Sequence, residues 1–407
     1  MYSIFLFCLI PWFASGGEEK ITSDVVQLVG GQRLSGRVLF EGRDALIVKS
    51  GRGEVEVERS DVAEIHSIER SLADFIKRFD AMPRENLAAV LELARWCEVQ
   101  KLNNEAHNLF LRAVLGDPTN AEALKACGGR NAGKKVQLRN DKRWLDVEEF
   151  RAQKPKWRDG LHFATAHFDI ETDVGLDKLL DVSVQLERNY LRFYQALGPE
   201  LVLYVFEERP TIRIYANAKD FPQSWSGGDN TWFAPGENVL HLLTGERYDM
   251  QQISRAVTDM LLFNACRRSS GKTGQVPGWI ACAIGEFFAA TAPSVPFGPW
   301  EEFGKPVQGW FRLQAGDLKP IELKTLLRSS LGEMRRGPDA ERRTAAAYTL
   351  GHFLVRGDGG AHRDALFAYL RGAWLGKISS NDFLKTINLN EAELSKRWRE
   401  HVTANAR

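Results

Sequence analysis

Three features are scarce in this sequence: cysteine, an excess of charge of one sign, and long apolar runs. The 407 residues include 5 cysteines and no Cys-x-x-Cys pair. Lys and Arg number 54 against 53 Asp and Glu, which leaves a net charge of +1, so the composition does not direct the chain toward nucleic acid. One apolar run, at the N-terminus, needs an explanation beyond core packing. These shortages exclude a polycation and a multi-span membrane protein.

What is present is typical of a large folded protein. Hydrophobic residues make up 44% of the chain and charged residues 26%, which excludes a disordered chain. The 11 Trp and 23 Phe residues predict large aromatic cores. A chain of this length predicts two or three domains rather than one compact core.

The N-terminal run predicts an export signal. The apolar stretch from Ile4 to Ala14 is too short to span a bilayer but has the length of a signal-peptide core. Small residues at Ala14, Ser15 and Gly16 suit cleavage after Gly16, so residues 1–16 are assigned as a signal peptide. No Lys or Arg precedes the run, and an N-terminal strand is the alternative. The signal predicts an extracytoplasmic protein, periplasmic or secreted, without a membrane span after cleavage.

The cysteines leave two interpretations open. Cleavage removes Cys8, and four cysteines remain in the mature chain: Cys97, Cys127, Cys266 and Cys282. An even number in an exported protein permits two disulfides, but four thiols allow three pairings and the sequence does not choose among them. Four buried thiols that act as small hydrophobic side chains are the other interpretation.

Two small units are predicted ahead of the main domain. Short alternating segments separated by glycine-rich breaks predict a small all-β barrel, SH3-like or LSm-like, over residues 21–68. A helical connector follows over residues 69–127, where the period of the apolar residues becomes helical. This connector resembles one tetratricopeptide repeat, and five residues carry the resemblance: Ala94, Ala106, Phe110, Ala113 and Pro118. A peptide-binding groove is the less favoured alternative for it.

Residues 128–160 are predicted to be a basic linker. Ten Lys and Arg residues face five acidic ones there, a local balance of +5. We see no interleaved aromatic residues suited to stacking on bases, so a solvated linker is favoured over a nucleic-acid site.

From residue 161 to 407 the pattern predicts an α+β domain with a mostly helical C-terminal half. Alternating strands HFATAHFDIETD, TIRIYAN and NVLHLL accompany helical stretches such as GLDKLLDVSVQLERNYLRFYQALG, MQQISRAVTDMLLFNACRR and WIACAIGEFFAAT. The order of these elements, with strings such as LLFN, PGWI and GEFFA, resembles the gluzincin, peptidase-MA-like domains of bacterial exported proteins. That resemblance implies a thermolysin-like architecture.

The resemblance also implies a zinc site that this chain has lost. The family binds zinc through two His in a His-Glu-x-x-His helix and a Glu from the next helix. In this sequence Arg255 stands at the first His, Ala256 at the catalytic Glu, Asp259 at the second His and Cys282 at the third ligand. The resemblance therefore implies vestigial zinc-site positions, with no metal, no cofactor and no catalytic residue.

Several further residues are candidates for the former cleft. None of the 8 His residues lies in a His-Glu-x-x-His frame, and His162, His167 and His241 are predicted to be packing or surface residues. The cleft candidates are Trp279, Glu286, Tyr348 and His352. For Glu286 and Tyr348, a helix surface or the core is the alternative location, and for His352 a packing role.

The spacing of Arg255 and Asp259 predicts an ion pair. The two residues are four apart on one helix, so their side chains share a face and can meet. The guanidinium would supply the positive charge that a metal gives in the family, and the carboxylate would balance it. An ordinary exposed pair is the alternative.

Together these observations predict an exported, non-catalytic protein that binds or supports other molecules. A peptide or protein in the former substrate cleft is the predicted partner, and nucleic acid is not. The alternative function is an active metal-dependent hydrolase with a non-standard site built on Asp259 and Cys282. The oligomeric state stays open.

Overall fold

The computed structural model describes most of the chain after the predicted signal. The described residues are 24–51, 53–140, 142–152, 160–222, 230–243, 249–266, 276–290, 307–316, 319–379 and 382–407. The signal peptide predicted for residues 1–16 lies outside them, and so do several basic residues of the predicted linker.

The described chain begins with a five-stranded antiparallel sheet. Its strands are β1 (Asp24–Leu28), β2 (Arg33–Glu41), β3 (Ala45–Ser50), β4 (Gly53–Glu58) and β5 (Val62–His66), in the order β4-β3-β2-β1-β5. Val26, Val38 and Leu46 are among the apolar residues that form its own small core. A Cβ at Gly36 would lie 2.1 Å from the Lys49 carbonyl oxygen, so only glycine allows β2 to approach β3 there.

Four helices follow the sheet, as the helical period predicts. They are α1 (Ile68–Ala81), α2 (Leu87–Val99), α3 (Asn103–Gly116) and α4 (Ala121–Ala126). The side chains of Ser67, Asn86 and Asn120 accept backbone N–H groups at the starts of α1, α2 and α4. The small residues Ala94 and Ala106 are buried, consistent with the extensive contact between α2 and α3.

The described residues of the 128–160 segment are more ordered than the predicted solvated linker. They form a three-stranded antiparallel sheet and one short helix: β6 (Arg130–Ala132), β7 (Lys135–Asn140), β8 (Arg143–Asp146) and α5 (Val147–Arg151). Leu138, Val147 and Phe150 are buried in the main core, and this burial fixes the segment in place. Because the segment is rich in charged residues, these few apolar residues did not indicate an ordered structure in the sequence.

A second five-stranded sheet opens the C-terminal part. Its strands are β9 (Leu161–Ala164), β10 (Asp169–Thr172), β11 (Thr211–Tyr215), β12 (Thr231–Ala234) and β13 (Val239–Leu243), in the order β12-β13-β11-β10-β9. Strands β10, β11 and β13 are parallel, and both edge strands are antiparallel to their neighbours. The long helix α6 (Leu176–Leu201) connects β10 to β11, as a parallel pair requires.

The described residues after β13 are mostly helical, as predicted. Their helices are α7 (Met250–Cys266), α8 (Gly278–Ala290), α9 (Gln308–Gly316), α10 (Leu323–Arg328), α11 (Leu331–Arg335), α12 (Ala340–Arg356), α13 (Arg363–Trp374), α14 (Phe383–Thr386) and α15 (Glu391–Asn405). Helix α8 is buried along nearly its whole length because α7, α11 and α12 all pack on it. No helix in the described ranges is both long and apolar enough to span a membrane.

One continuous core joins these parts. The main cluster of buried side chains runs from Leu39 in the first sheet to Val402 in the last helix. The first sheet also bonds directly to the end of the α6 connection, where the Val205 amide donates to the Leu39 carbonyl at 2.9 Å. The main core therefore reaches the first sheet through Leu39, although most buried apolar residues of that sheet form its separate small core.

Candidate functional site

The vestigial positions meet where α7, α8 and α11 pack together. Arg255 and Asp259 lie one turn apart on α7, and Cys282 and Glu286 lie one turn apart on α8. Helix α11 contributes Arg335, whose guanidinium contacts carboxylates from both of the other helices. Arg255, Asp259, Glu286 and Arg335 are called the guanidinium–carboxylate cluster below.

Glu286 is the shared acceptor of this cluster. Its Oε1 lies 2.5 Å from Arg255 Nε and 2.7 Å from Arg335 Nη1, and its Oε2 accepts a hydrogen bond from Arg255 Nη2 at 3.0 Å. Arg335 Nη2 lies 3.5 Å from Asp259 Oδ1. The two arginines and two carboxylates are therefore arranged as a connected network of opposite charges.

The cluster is largely shielded from water, and its environment shifts the pKa values of Asp259 and Arg335. The Glu286 side chain is 2% exposed and that of Arg335 is 9% exposed. Burial raises the pKa of Asp259, although the nearby arginines act in the opposite direction. Burial alone would lower the pKa of Arg335, but its acidic neighbours raise it instead, so the guanidinium stays charged.

Cys282 lies beside the cluster as an inert thiol. Burial is the main reason that its pKa rises to about 11, and its Sγ lies 3.7 Å from Thr344 Oγ1. A buried thiol with a raised pKa is a poor nucleophile at neutral pH. Cys97, Cys127 and Cys282 are all free and buried; the Cys266 side chain lies outside the described residues.

A glycine makes room for the charged groups. Gly285 precedes Glu286 on α8, and a Cβ there would lie 2.7 Å from Arg335 Nη2 and 3.3 Å from Arg255 Cγ. A methyl group at this position would therefore require the Arg335 guanidinium to shift and would crowd the aliphatic part of Arg255. The glycine in the string GEFF is explained by this close approach.

The sequence predicts the burial of the charged pair but not its partners. The structure pairs Arg255 with Glu286 and Asp259 with Arg335, instead of Arg255 with Asp259. The i, i+4 rule gives only partners on the same helix, whereas these partners come from packing between helices. Arg335, in a helix of five residues, gave no signal in the sequence.

Zinc, the metal that the resemblance implies, does not fit these residues. Both guanidiniums keep their protons and would repel a cation, and Ala256 has no carboxylate to activate water. In the part of the chain that the structure describes, no group of three or more His, Cys, Asp or Glu side chains could hold a metal ion.

The remaining cleft candidates are interior packing residues. Trp279 is 1% exposed and lies against Phe383, with ring centroids 5.1 Å apart. The Tyr348 hydroxyl accepts the Val307 amide at 3.2 Å. His352 Nδ1 lies 2.9 Å from His401 Nε2, and burial lowers the pKa of His352 to about 4.

Comparisons with known proteins do not assign this arrangement to a family. No protein-family model matches the chain, and no curated protein matches it. Interpretation of the site therefore rests on its geometry and on the resemblance described above.

Proposed function

We propose that this chain is an exported, non-catalytic protein whose C-terminal part is a gluzincin-like domain with its zinc site replaced by the guanidinium–carboxylate cluster. In this proposal the protein binds or supports a peptide or protein partner at the former substrate cleft. The export component rests on the predicted signal peptide at residues 1–16.

One observation carries the proposal: the Arg335 guanidinium lies among the positions assigned to the zinc ligands. It contacts Asp259 at the second-His position, and Cys282 at the third-ligand position is close enough to affect its pKa. A fixed positive charge there would stabilise the helix packing that a metal supports in an active relative. It would also keep a metal out.

The element order supports the gluzincin-like part of the proposal. A mixed five-stranded sheet with one long crossover helix precedes two packed helices, α7 and α8, that carry the assigned positions. The alternative, an active metal-dependent hydrolase, gains no support from the site because Asp259 and Glu286 are already engaged by arginines.

Metal analysis of the purified chain tests the non-catalytic role. We expect no stoichiometric zinc and no cleavage of a peptide library, because the described residues contain no group of ligands for a metal and Ala256 supplies no general base. One equivalent of tightly held zinc, removed by a chelator together with a peptidase activity, would contradict the proposal.

A restored variant tests the assignment of positions. It combines Arg255→His, Ala256→Glu, Asp259→His, Cys282→Glu and Arg335→Ala, and we expect it to bind one equivalent of zinc. The matched control carries only Ala256→Glu, Cys282→Glu and Arg335→Ala and should bind none. A restored variant that folds without binding zinc would show that the gluzincin-like assignment is wrong.

A further inference from the structure

A second buried charged cluster lies where the first sheet, the helical connector and the C-terminal part meet. It comprises six ionisable residues, called the joint cluster below: Asp24, Arg37, Glu69, Glu105, His167 and Glu187. The sequence placed His167 among packing or surface residues, and the structure buries it completely.

Ion pairs connect five of the six members. Arg37 Nη1 lies 3.1 Å from Asp24 Oδ2 and also pairs with Glu69. His167 Nδ1 lies 2.7 Å from Glu187 Oε2, and its Nε2 lies 3.5 Å from Glu69. The imidazole is stacked on the Tyr190 ring with centroids 3.6 Å apart.

Helix α3 attaches to the β9–β10 turn through three side chains. Asn108 donates to the Ala164 carbonyl at 2.9 Å, and Asn104 donates to the Thr165 carbonyl at 2.8 Å. Glu105 Oε1 accepts the Ala166 amide at 2.7 Å. Of these three groups, only the Glu105 carboxyl can titrate.

The next amide of the turn, that of His167, is bound by a second carboxylate, that of Glu187. Glu187 Oε1 accepts the His167 amide at 2.7 Å, so two carboxyl groups bind consecutive backbone N–H groups. Both also line a cavity of about 20 Å³ between α1, α3 and α6. Glu105 is 4% exposed and Glu187 is 1% exposed, so little water screens one from the other.

The charges of the joint cluster do not balance when every member is ionised. Four carboxylates then face one guanidinium and one imidazolium. Arg37 lies between Asp24 and Glu69, and His167 pairs with Glu187. Among the contacts of the described residues, Glu105 has no cationic partner of this kind, which makes it the member that most readily takes a proton.

The titration of these groups agrees with that assignment. Burial, together with the charge of Glu187, raises the pKa of Glu105 to about 7. Burial acts to lower the pKa of His167, but Glu187 and Glu69 raise it overall. Three other titratable or charged groups face Glu105, the cavity or the imidazole: Cys97, Arg112 and Tyr190. Arg112 is itself paired with Asp181 at 3.3 Å.

We propose that Glu105 is a pH-sensitive latch that joins the helical connector to the C-terminal part. A proton on Glu105 keeps α3 attached to the turn at residues 164–167. Loss of that proton places an uncompensated negative charge beside the Glu187 carboxylate and loosens the attachment. This device goes beyond the proposed function because it involves none of the residues of the guanidinium–carboxylate cluster.

Amide hydrogen exchange of the full chain tests the latch. The Glu105 carboxyl has an ordinary pKa of 4.5 when exposed and a pKa of about 7 when it is buried against the turn. Detachment of α3 from the turn therefore becomes more favourable as the pH rises above 4.5, because the exposed carboxyl releases its proton more readily. We expect the protection factors of the Ala166 and His167 amides to fall about tenfold between pH 6 and pH 9. Glu105→Gln keeps an oxygen acceptor but cannot ionise, so its protection factors should not change over this range.

A control variant and a second measurement keep the test decisive. Glu98→Gln, at an exposed position of α2, should retain the pH dependence of the wild type. If Glu105→Gln does not fold, the Glu105 carboxyl carbon is titrated by NMR in the wild type, with an expected midpoint near 7. A midpoint below 5, or a Glu105→Gln variant that retains the pH dependence of the wild type, would overturn the proposal.

Discussion

Arg335 contacts two carboxylates that belong to different helices, and both are almost fully buried. Asp259 comes from α7 and Glu286 from α8, and Arg335 itself lies at the end of α11. Removing one member of a buried ion pair strands the charge of the other. The contribution of Arg335 to stability is therefore best measured together with that of its partner.

A double-mutant cycle on Arg335 and Asp259 measures this contribution. We expect Arg335→Met to lower the free energy of unfolding by about 3–5 kcal/mol, because it leaves the buried Asp259 carboxyl without an ion-pair partner. Asp259→Leu should cost less, because Arg335 still pairs with Glu286. The double variant should lose less than the sum of the two. Arg312→Met, at an exposed position of α9, should stay within about 0.5 kcal/mol of the wild type. Strictly additive losses, measured by urea unfolding, would show that the two residues do not interact.

At the scale of elements, the periodic segments are the ones that the sequence predicts well. The apolar string GWIACAIGEFFAA predicts α8, and nearly every one of its residues is buried. The alternating segments of the first sheet, and TIRIYAN and NVLHLL in the second, are strands as expected. The segment HFATAHFDIETD forms two antiparallel strands, β9 and β10, instead of one, and β12 was not predicted. A regular spacing of apolar residues marks the face of a helix or strand that packs on the core. It therefore predicts strongly amphipathic or wholly buried elements.

The elements that the sequence did not predict share a physical cause. Strands β6 to β8 depend on a few anchors such as Leu138 within a highly charged segment, so composition indicates a linker there. Partners such as Arg335 for Asp259 are brought together by helix packing across 76 positions of the chain. Neither local propensity nor i, i+4 spacing contains this information.

The attachment of the last helix gives a prediction at this scale. Helix α15 packs on α12 through the His352–His401 pair and through Trp398 Nε1, which donates to Thr349 at 3.2 Å. The pKa of His352 is about 4, well below its ordinary value of 6.5, so the folded state keeps this imidazole neutral. Stability from this group is complete above pH 6.5 and is lost as the pH falls toward 4.

We therefore expect acid to weaken the attachment of α15. Between pH 7 and pH 4.5, His352 should contribute about 2–3 kcal/mol to the loss of unfolding free energy. His352→Leu should remove this part of the pH dependence, and His66→Gln, at an exposed position of β5, should not. The measurement is urea unfolding at the two pH values. Identical pH dependence in the wild type and in His352→Leu would contradict the assignment.

At the scale of the whole molecule, charged contacts connect parts that the sequence suggests are separate. Arg37 on β2 contacts Glu69 on α1, and its Nη2 lies 3.5 Å from His167 Nε2 in the C-terminal part. Lys49 on β3 pairs with Glu207 at 2.6 Å, beyond the end of α6. Because the main hydrophobic core also reaches the first sheet through Leu39, we expect these parts to unfold together rather than as independent domains.

Substitution of Arg37 tests this coupling. Arg37 is 5% exposed, and Arg37→Met strands the carboxylates of Asp24 and Glu69 at the joint. We expect a loss of about 3–5 kcal/mol in unfolding free energy, together with exposure of the first sheet at lower urea.

Hydrogen exchange in urea measures this exposure. In the wild type, the amides of β1 and of α8 should report one common transition. In Arg37→Met, the β1 amides should exchange at a lower urea concentration than those of α8. Arg33→Met, exposed on the same strand, is the matched control and should behave as the wild type does. Separate transitions for β1 and α8 in the wild type would mean that the first sheet is an independent domain and that Arg37 does not couple it to the rest of the molecule.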